Sequence, residues 1–178
     1  MRRALGLLVL GLLCLPVQGA LAMALPAPWC PDLGLVVVVG IGLWLEGASG
    51  LGAAAALGYV ADLLSGSLLG QHALLRTLVY GATRAAHGKL NLGGWLSRAL
   101  LVGLLSLVNG IVLAGLVALF GGRIALTAGF LGELLLHAAV NAALAPLVLG
   151  GLDALARRLS PDEERRRPLH VSRPGHAT

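Results

Sequence analysis

Between Arg3 and Asp32, and again between Arg98 and Arg123, the chain carries no charged side chain at all. Stretches of that length and character are what a helix needs to cross the hydrocarbon of a bilayer, about 20 mainly apolar residues. The rest of the composition agrees. Of 178 residues, 57% are hydrophobic and only 12% charged, with mean hydropathy +0.88, against about 25% charged in an ordinary soluble domain. A water-soluble fold of this length could not hide so much apolar surface. Glycine is abundant, 26 residues, and aromatics make up only 4%, so the helices are expected to pack through small residues that let backbones approach closely.

Six stretches read as spans, near 4–25, 32–46, 48–64, 71–88, 97–120 and 125–150. The fold class is therefore an all-α integral membrane protein, a compact bundle of about six transmembrane helices with short loops. Residues 1–151 form the helical domain. Residues 152–178 turn to Pro, charge and His, a short basic tail in which Asp153 to Leu159 suits a surface helix and Ser160 onward lacks the apolar content to fold alone. The second stretch, Leu33 to Leu45, covers only about 20 Å as a helix, less than the hydrocarbon core. It must thin the bilayer, extend through Pro31-Asp32, or be shielded by its neighbours. The turn after it, Glu46 to Gly50, is tight and predicts a close hairpin of the second and third helices. The first stretch is expected to be a retained anchor; Arg2-Arg3, the apolar run and Ala20-Leu-Ala22 would also pass as a secretory signal.

Basic residues decide sidedness, because Lys and Arg are kept on the cytoplasmic side. With the N-terminus inside and six crossings, eleven of the thirteen basic residues fall in the cytoplasm, Arg123 falls in an outer loop and Arg76 within a span. Both termini are then cytoplasmic. The charge of +5 is thus a topology signal rather than a nucleic-acid surface, and the run Asp162 to Arg167 suits a solvated tail that can touch anionic lipid. Cys14 and Cys30 match neither a metal motif nor a disulfide framework.

Ionisable groups inside spans need a partner or a purpose. Asp62 near the end of the third span and Arg76 near the start of the fourth lie at similar distances from the turn between them. An antiparallel hairpin brings them level, which predicts an Asp62–Arg76 contact, joined by His72. Otherwise Asp62 caps the turn and Arg76 snorkels to the interface. Glu133, His137 and Asn141 recur at i, i+4 and i+8, one face of the last span. That face can hydrogen-bond across to Asn109 as interhelical glue, or relay protons or coordinate an ion. Gly47-Ala-Ser-Gly50 and His137 to Asn141 echo motifs of rhomboid-type intramembrane proteases, but in the wrong order. Ser49 and His137 fall toward opposite membrane faces, whereas a nucleophile and its base must meet within about 3 Å. No phosphate loop or zinc spacing is present.

Pro31-Asp32-Leu33, the segment Gly47 to Asp62, and Leu63-Leu-Ser-Gly-Ser-Leu-Leu-Gly-Gln-His-Ala-Leu74 together resemble the rod shape-determining protein MreD family. Its members read P-D-L, an apolar span, a Gly-rich hairpin, then D-L-x-S-G-x-x-L-G-x-x-A-L, and end in a span with Asn and a following Pro, similar to Asn141 and Pro146. Asp32, Asp62, Gly66, Gly70, His72, Arg76, Glu133, His137, Asn141 and Pro146 are accordingly the candidate structural or partner positions. Tyr59 departs from the pattern, standing where members often carry Gly. The resemblance implies a non-enzymatic protein of the bacterial inner membrane, without cofactor or metal. Its partners would be the bitopic protein MreC, the actin-like MreB filament, the peptidoglycan synthases of lateral wall growth and membrane lipid, with no nucleic acid. It also implies a helical arrangement similar to the substrate-binding components of energy-coupling-factor transporters, whence the alternative of a small-molecule-binding transporter component.

Overall fold

The second apolar stretch becomes the axis of the molecule. In the computed structural model, which describes residues 2–66, 68–120 and 127–158, helix α2 (Leu33–Trp44) has every residue from Leu33 to Leu43 buried. Five helices surround it: α1 (Arg2–Ala24), α3 (Gly47–Ser65), α4 (Gln71–His87), α5 (Trp95–Leu119) and α6 (Ala128–Arg158). This settles how so short a helix is accommodated. Its neighbours shield it, and a 3₁₀ turn, Ala27–Trp29, extends its reach on one side. The run Val36 to Val39 is completely inaccessible, so a helix apolar all round sits where such a helix belongs.

Successive helices reverse direction. Asp62, near the end of α3, meets the start of α4, while Gly50, near the start of α3, lies against Tyr80 further along α4. Helices α2 and α4 run parallel, joined by Arg76 to Asp32 at one end and by Arg84 to the Gly42 carbonyl at the other. Helices α5 and α6 are antiparallel, joined by Ser106 to Asn141 and by Arg98 to Asp153. The bundle thus has an Asp32 end and an Arg84 end, and each described helix connects them.

Among the described residues, five helical segments are long and apolar enough to cross a membrane; α4 is the exception. It has 17 residues, about 25 Å of helix, and carries His72, Arg76, Arg84 and His87. It still traverses the bundle because its polar face turns inward, Arg76 and Thr83 being buried, while Leu74 and Leu78 are exposed. Along α5, Leu96, Leu100, Leu104, Val108 and Ile111 face outward, a surface that suits lipid and not water.

Two expectations change. The link between α2 and α3 is as short as expected, Leu45 and Glu46, with Gly47 at φ +64. The helices nevertheless diverge after it, and α3 packs chiefly on α4. The cause is Gly58. A Cβ there would meet the His72 carbonyl and the Ala73 backbone, so the two helices touch main chain to main chain. Second, Asp153 to Arg158 continue α6 instead of forming a separate surface helix. Leu152 and Ala156 are buried, and Asp153 is held by Arg98 at 2.8 Å. The tail from residue 159 lies outside the described residues, as does Arg123.

Gly58→Ala should therefore force α3 from α4 and lower stability by about 1–3 kcal/mol, the usual cost of overpacking. Gly52→Ala on the same helix, where nothing lies within 4 Å of the added carbon, should be neutral or gain about 0.5–1 kcal/mol. Thermal unfolding of the two variants in detergent compares them directly.

Candidate functional site

Pro31 and Asp32 lead from the 3₁₀ turn into α2, and the first turn of a helix leaves N–H groups without partners. Because α2 is enclosed, side chains of its neighbours meet them. Asp32 takes the N-cap position and accepts from the Leu35 N–H at 2.9 Å, the usual work of an Asp there. The Gly34 N–H donates to Gln18 Oε1 of α1 at 3.1 Å. The Asp32 N–H donates to Asn141 Oδ1 of α6 at 2.7 Å, and Asn141 Nδ2 passes the chain on to Ser106 Oγ of α5 at 2.7 Å.

Arg76 of α4 closes the hub. Its Nη2 lies 2.7 Å and 2.9 Å from the two carboxylate oxygens of Asp32, and the residue is only 4% exposed. Five helices therefore converge on one helix start, with an ion pair at its centre whose arginine is buried and whose carboxylate is largely covered. Removing one partner of such a pair strands a charge in a poor solvent and costs several kcal/mol.

A second carboxylate does the same for α4. Gly70, its N-cap, has no side chain to offer, and Asp62 reaches across from α3 instead. Its Oδ2 accepts from the N–H groups of Gly70 and Ala73, at 2.9 and 3.2 Å; its Oδ1 accepts from the His72 N–H at 2.8 Å. The His72 ring Nδ1 lies 2.9 Å from Oδ1. The turn that allows this needs left-handed backbone at Gly66, φ +63, and Gly70, φ +92, a region open chiefly to glycine. The D-x-x-S-G-x-x-x-G spacing is thus a capping device, with the acid at one end and two permissive turns in between.

The Asp62–Arg76 contact expected from the hairpin is not formed. Equal depth alone suggested it, but the first-turn donors of α4 occupy Asp62, and Arg76, one turn further along, faces α2 and Asp32. The alternative role of Asp62 as a cap is the one observed, together with His72. Arg76 does not snorkel. The Glu133–His137–Asn141 face is also divided. Asn141 is glue, though its partner is Ser106 and not Asn109, whose Oδ1 is buried with no hydrogen-bond partner among the described residues. Glu133 and His137 instead line a cavity of about 430 Å³ beside Asn109 and Asp32. Pro146 lies inside α6, where a proline removes the hydrogen bond to the carbonyl four residues back.

At the Arg84 end, Arg84 binds Glu46 at 2.8 Å and the Gly42 carbonyl at 3.3 Å, and Arg98 binds Asp153 and the Leu92 carbonyl. The Tyr80 hydroxyl lies 3.2 Å from the carbonyls of Leu45 and Gly47, serving the end of α2. Ser49 donates to the Glu46 carbonyl here, at the opposite end of the bundle from His137, so the two do not form a nucleophile and base. No group of three or more His, Cys, Asp or Glu placed to hold a metal occurs among the described residues. Sequence reasoning missed Gln18, Ser106 and both ion pairs at the Arg84 end. Gln18 could have been flagged as a lone amide in a charge-free apolar stretch; the others carry no local signal.

A multi-pass helical membrane protein, whose buried polar side chains join helix to helix instead of converging on a reacting centre, is the class these features define. The family model for the rod shape-determining protein MreD matches residues 5–152, and the chain belongs to that family, which makes it a non-enzymatic membrane component. No curated protein and no solved structure matches it at a significant level; the likeness to energy-coupling-factor components rests on the sequence resemblance alone.

Asp32→Asn and Arg76→Gln should each destabilise the bundle, by about 3–5 kcal/mol if the remaining partner stays charged. The double variant should recover part of the loss, with a coupling of about 0.5–3 kcal/mol. Asp62→Asn combined with Arg76→Gln should be additive within about 0.5 kcal/mol. Denaturation cycles in detergent measure both; coupling confined to the Asp62 cycle would reverse the assignment of partners.

Proposed function

We propose that this chain is a membrane component of the bacterial cell-elongation machinery, which binds MreC and helps to assemble or regulate a complex with the MreB filament and the peptidoglycan synthases of lateral wall growth. The family match over residues 5–152 carries this reading. The architecture supports it physically. The buried Arg76 is engaged with Asp32, the buried Asp62 with the start of α4, and the outward face of α5 is apolar along Leu96, Leu100, Leu104, Val108 and Ile111, fit to receive another helix. Several glycines on α5 and α6, including Gly115, Gly132 and Gly150, have nothing within 4 Å of an added Cβ, which leaves room for a partner backbone to approach.

The protein would sit in the inner membrane with both termini cytoplasmic. Arg84, Lys89, Arg98, Arg157 and Arg158 all belong to the Arg84 end of the helices or the turns beside it, the distribution that retains that end inside. Glu133 and His137 then belong to the outer half, and the basic tail can contact anionic lipid. The alternative reading, a small-molecule-binding component of an energy-coupling-factor type transporter, draws on the cavity beside Glu133.

Co-purification in mild detergent is the test: MreC should be recovered with the wild-type chain and lost with Gly58→Ala or Asp32→Asn. Recovery of an ATPase module without MreC would favour the transporter reading. A reporter active only in the cytoplasm should signal when fused to the C-terminus; periplasmic activity there would refute the topology.

A further inference from the structure

The cavity between α5, α6 and the 3₁₀ turn is lined by apolar side chains, among them Leu113, Val117 and Phe130, and by polar ones, Asp32, His72, Ser106, Asn109, His137 and the exposed Glu133. Its volume, about 430 Å³, falls in the range of small-ligand sites, about 300–1,000 Å³. Two of the polar groups lack partners among the described residues. Asn109 Oδ1 is buried and accepts no hydrogen bond among the described residues, and a buried acceptor left unmade costs free energy that a donor would recover. Glu133 is in none of the ion pairs formed among the described residues. No Lys or Arg is among its described lining residues, and the nearby Arg76 holds Asp32 through Nη2, its buried Nη1 having no hydrogen-bond partner among the described residues.

From this we infer that the cavity binds a primary ammonium carried on an apolar body. The charge would lie against Glu133, an N–H would be donated to the Asn109 carbonyl oxygen, and the apolar part would lie along Leu113, Val117 and Phe130. An anion finds no Lys or Arg among the described lining residues, and a metal ion finds no set of three ligands among the described residues. The ammonium can come from an ethanolamine lipid headgroup or from a soluble amine; both present N–H donors, which a choline headgroup lacks. The inference is independent of MreC binding, and its readout needs no partner protein.

The test uses the full chain. In detergent, n-octylamine should bind and n-octanol should not, by isothermal titration. Glu133→Gln should weaken octylamine at least about tenfold, about 1.4 kcal/mol, and Asn109→Leu should weaken it similarly while leaving the thermal midpoint equal or higher, because it removes the stranded acceptor. In nanodiscs of mixed composition, retention of phosphatidylethanolamine over phosphatidylcholine by native mass spectrometry, lost in Glu133→Gln, would identify the lipid as the source. Octylamine binding without that preference would identify a soluble amine. Equal binding of octylamine and octanol, binding unchanged by both substitutions, or no binding of either amine would overturn the proposal.

Discussion

The start of α2 is the constraint on which the rest of the structure depends. A helix enclosed by others has little access to water at its first turn, and N–H groups left unmet there cost several kcal/mol. Here the donors are met by Asp32 from α2 itself, by Gln18 from α1 and by Asn141 from α6. The Asp32 carboxylate then requires a cation, which Arg76 of α4 supplies, and Asn141 engages Ser106 of α5. Each requirement recruits another helix. The depth and rotation of α1, α4, α5 and α6 about the central axis are thereby fixed by polar contacts at one level, while apolar packing fills the remainder.

Asp62 repeats the logic on a smaller scale. It serves the first turn of α4 across the α3–α4 link, and the left-handed glycines Gly66 and Gly70 bend the chain so that it can. Gly58 brings the two helices into backbone contact, giving the carboxylate the reach it needs. Both acids that the family resemblance singles out are therefore helix caps first. In a non-enzymatic membrane protein this makes mechanical sense: polar groups used internally hold the helices in register and leave the outer faces apolar for lipid or for a partner helix.

The opposite end is tied by different means. Arg84 with Glu46, Arg98 with Asp153, and the Tyr80 hydroxyl at the carbonyls of Leu45 and Gly47 join helix ends through longer side chains, several of them partly exposed. Tyr80 serves carbonyls where Asp32 serves N–H groups, as the polarity of a helix demands. The two ends thus bracket α2 with complementary chemistry.

Charge-free length gave away the spans, and apart from the C-terminal end of α6, which runs on to Arg158, the helices fall within a few residues of where hydropathy put them, because partition into hydrocarbon is a local property of a segment. The same is true of the motif around Asp62, whose spacing of acid, glycine and helix start is a short-range pattern. Pairing was another matter. The hairpin argument matched Asp62 to Arg76 by depth, yet an ion pair also depends on which way each residue faces around its helix and on what reaches it first. Asp32 lies 44 positions before Arg76, and Asn141 lies 109 positions after Asp32, so nothing along the chain announces that they meet. The sequence by itself determined that this is a membrane bundle and where its helices lie along the chain; only tertiary packing decided which helix lies at the centre, because that choice sets which buried donors and charges must find one another.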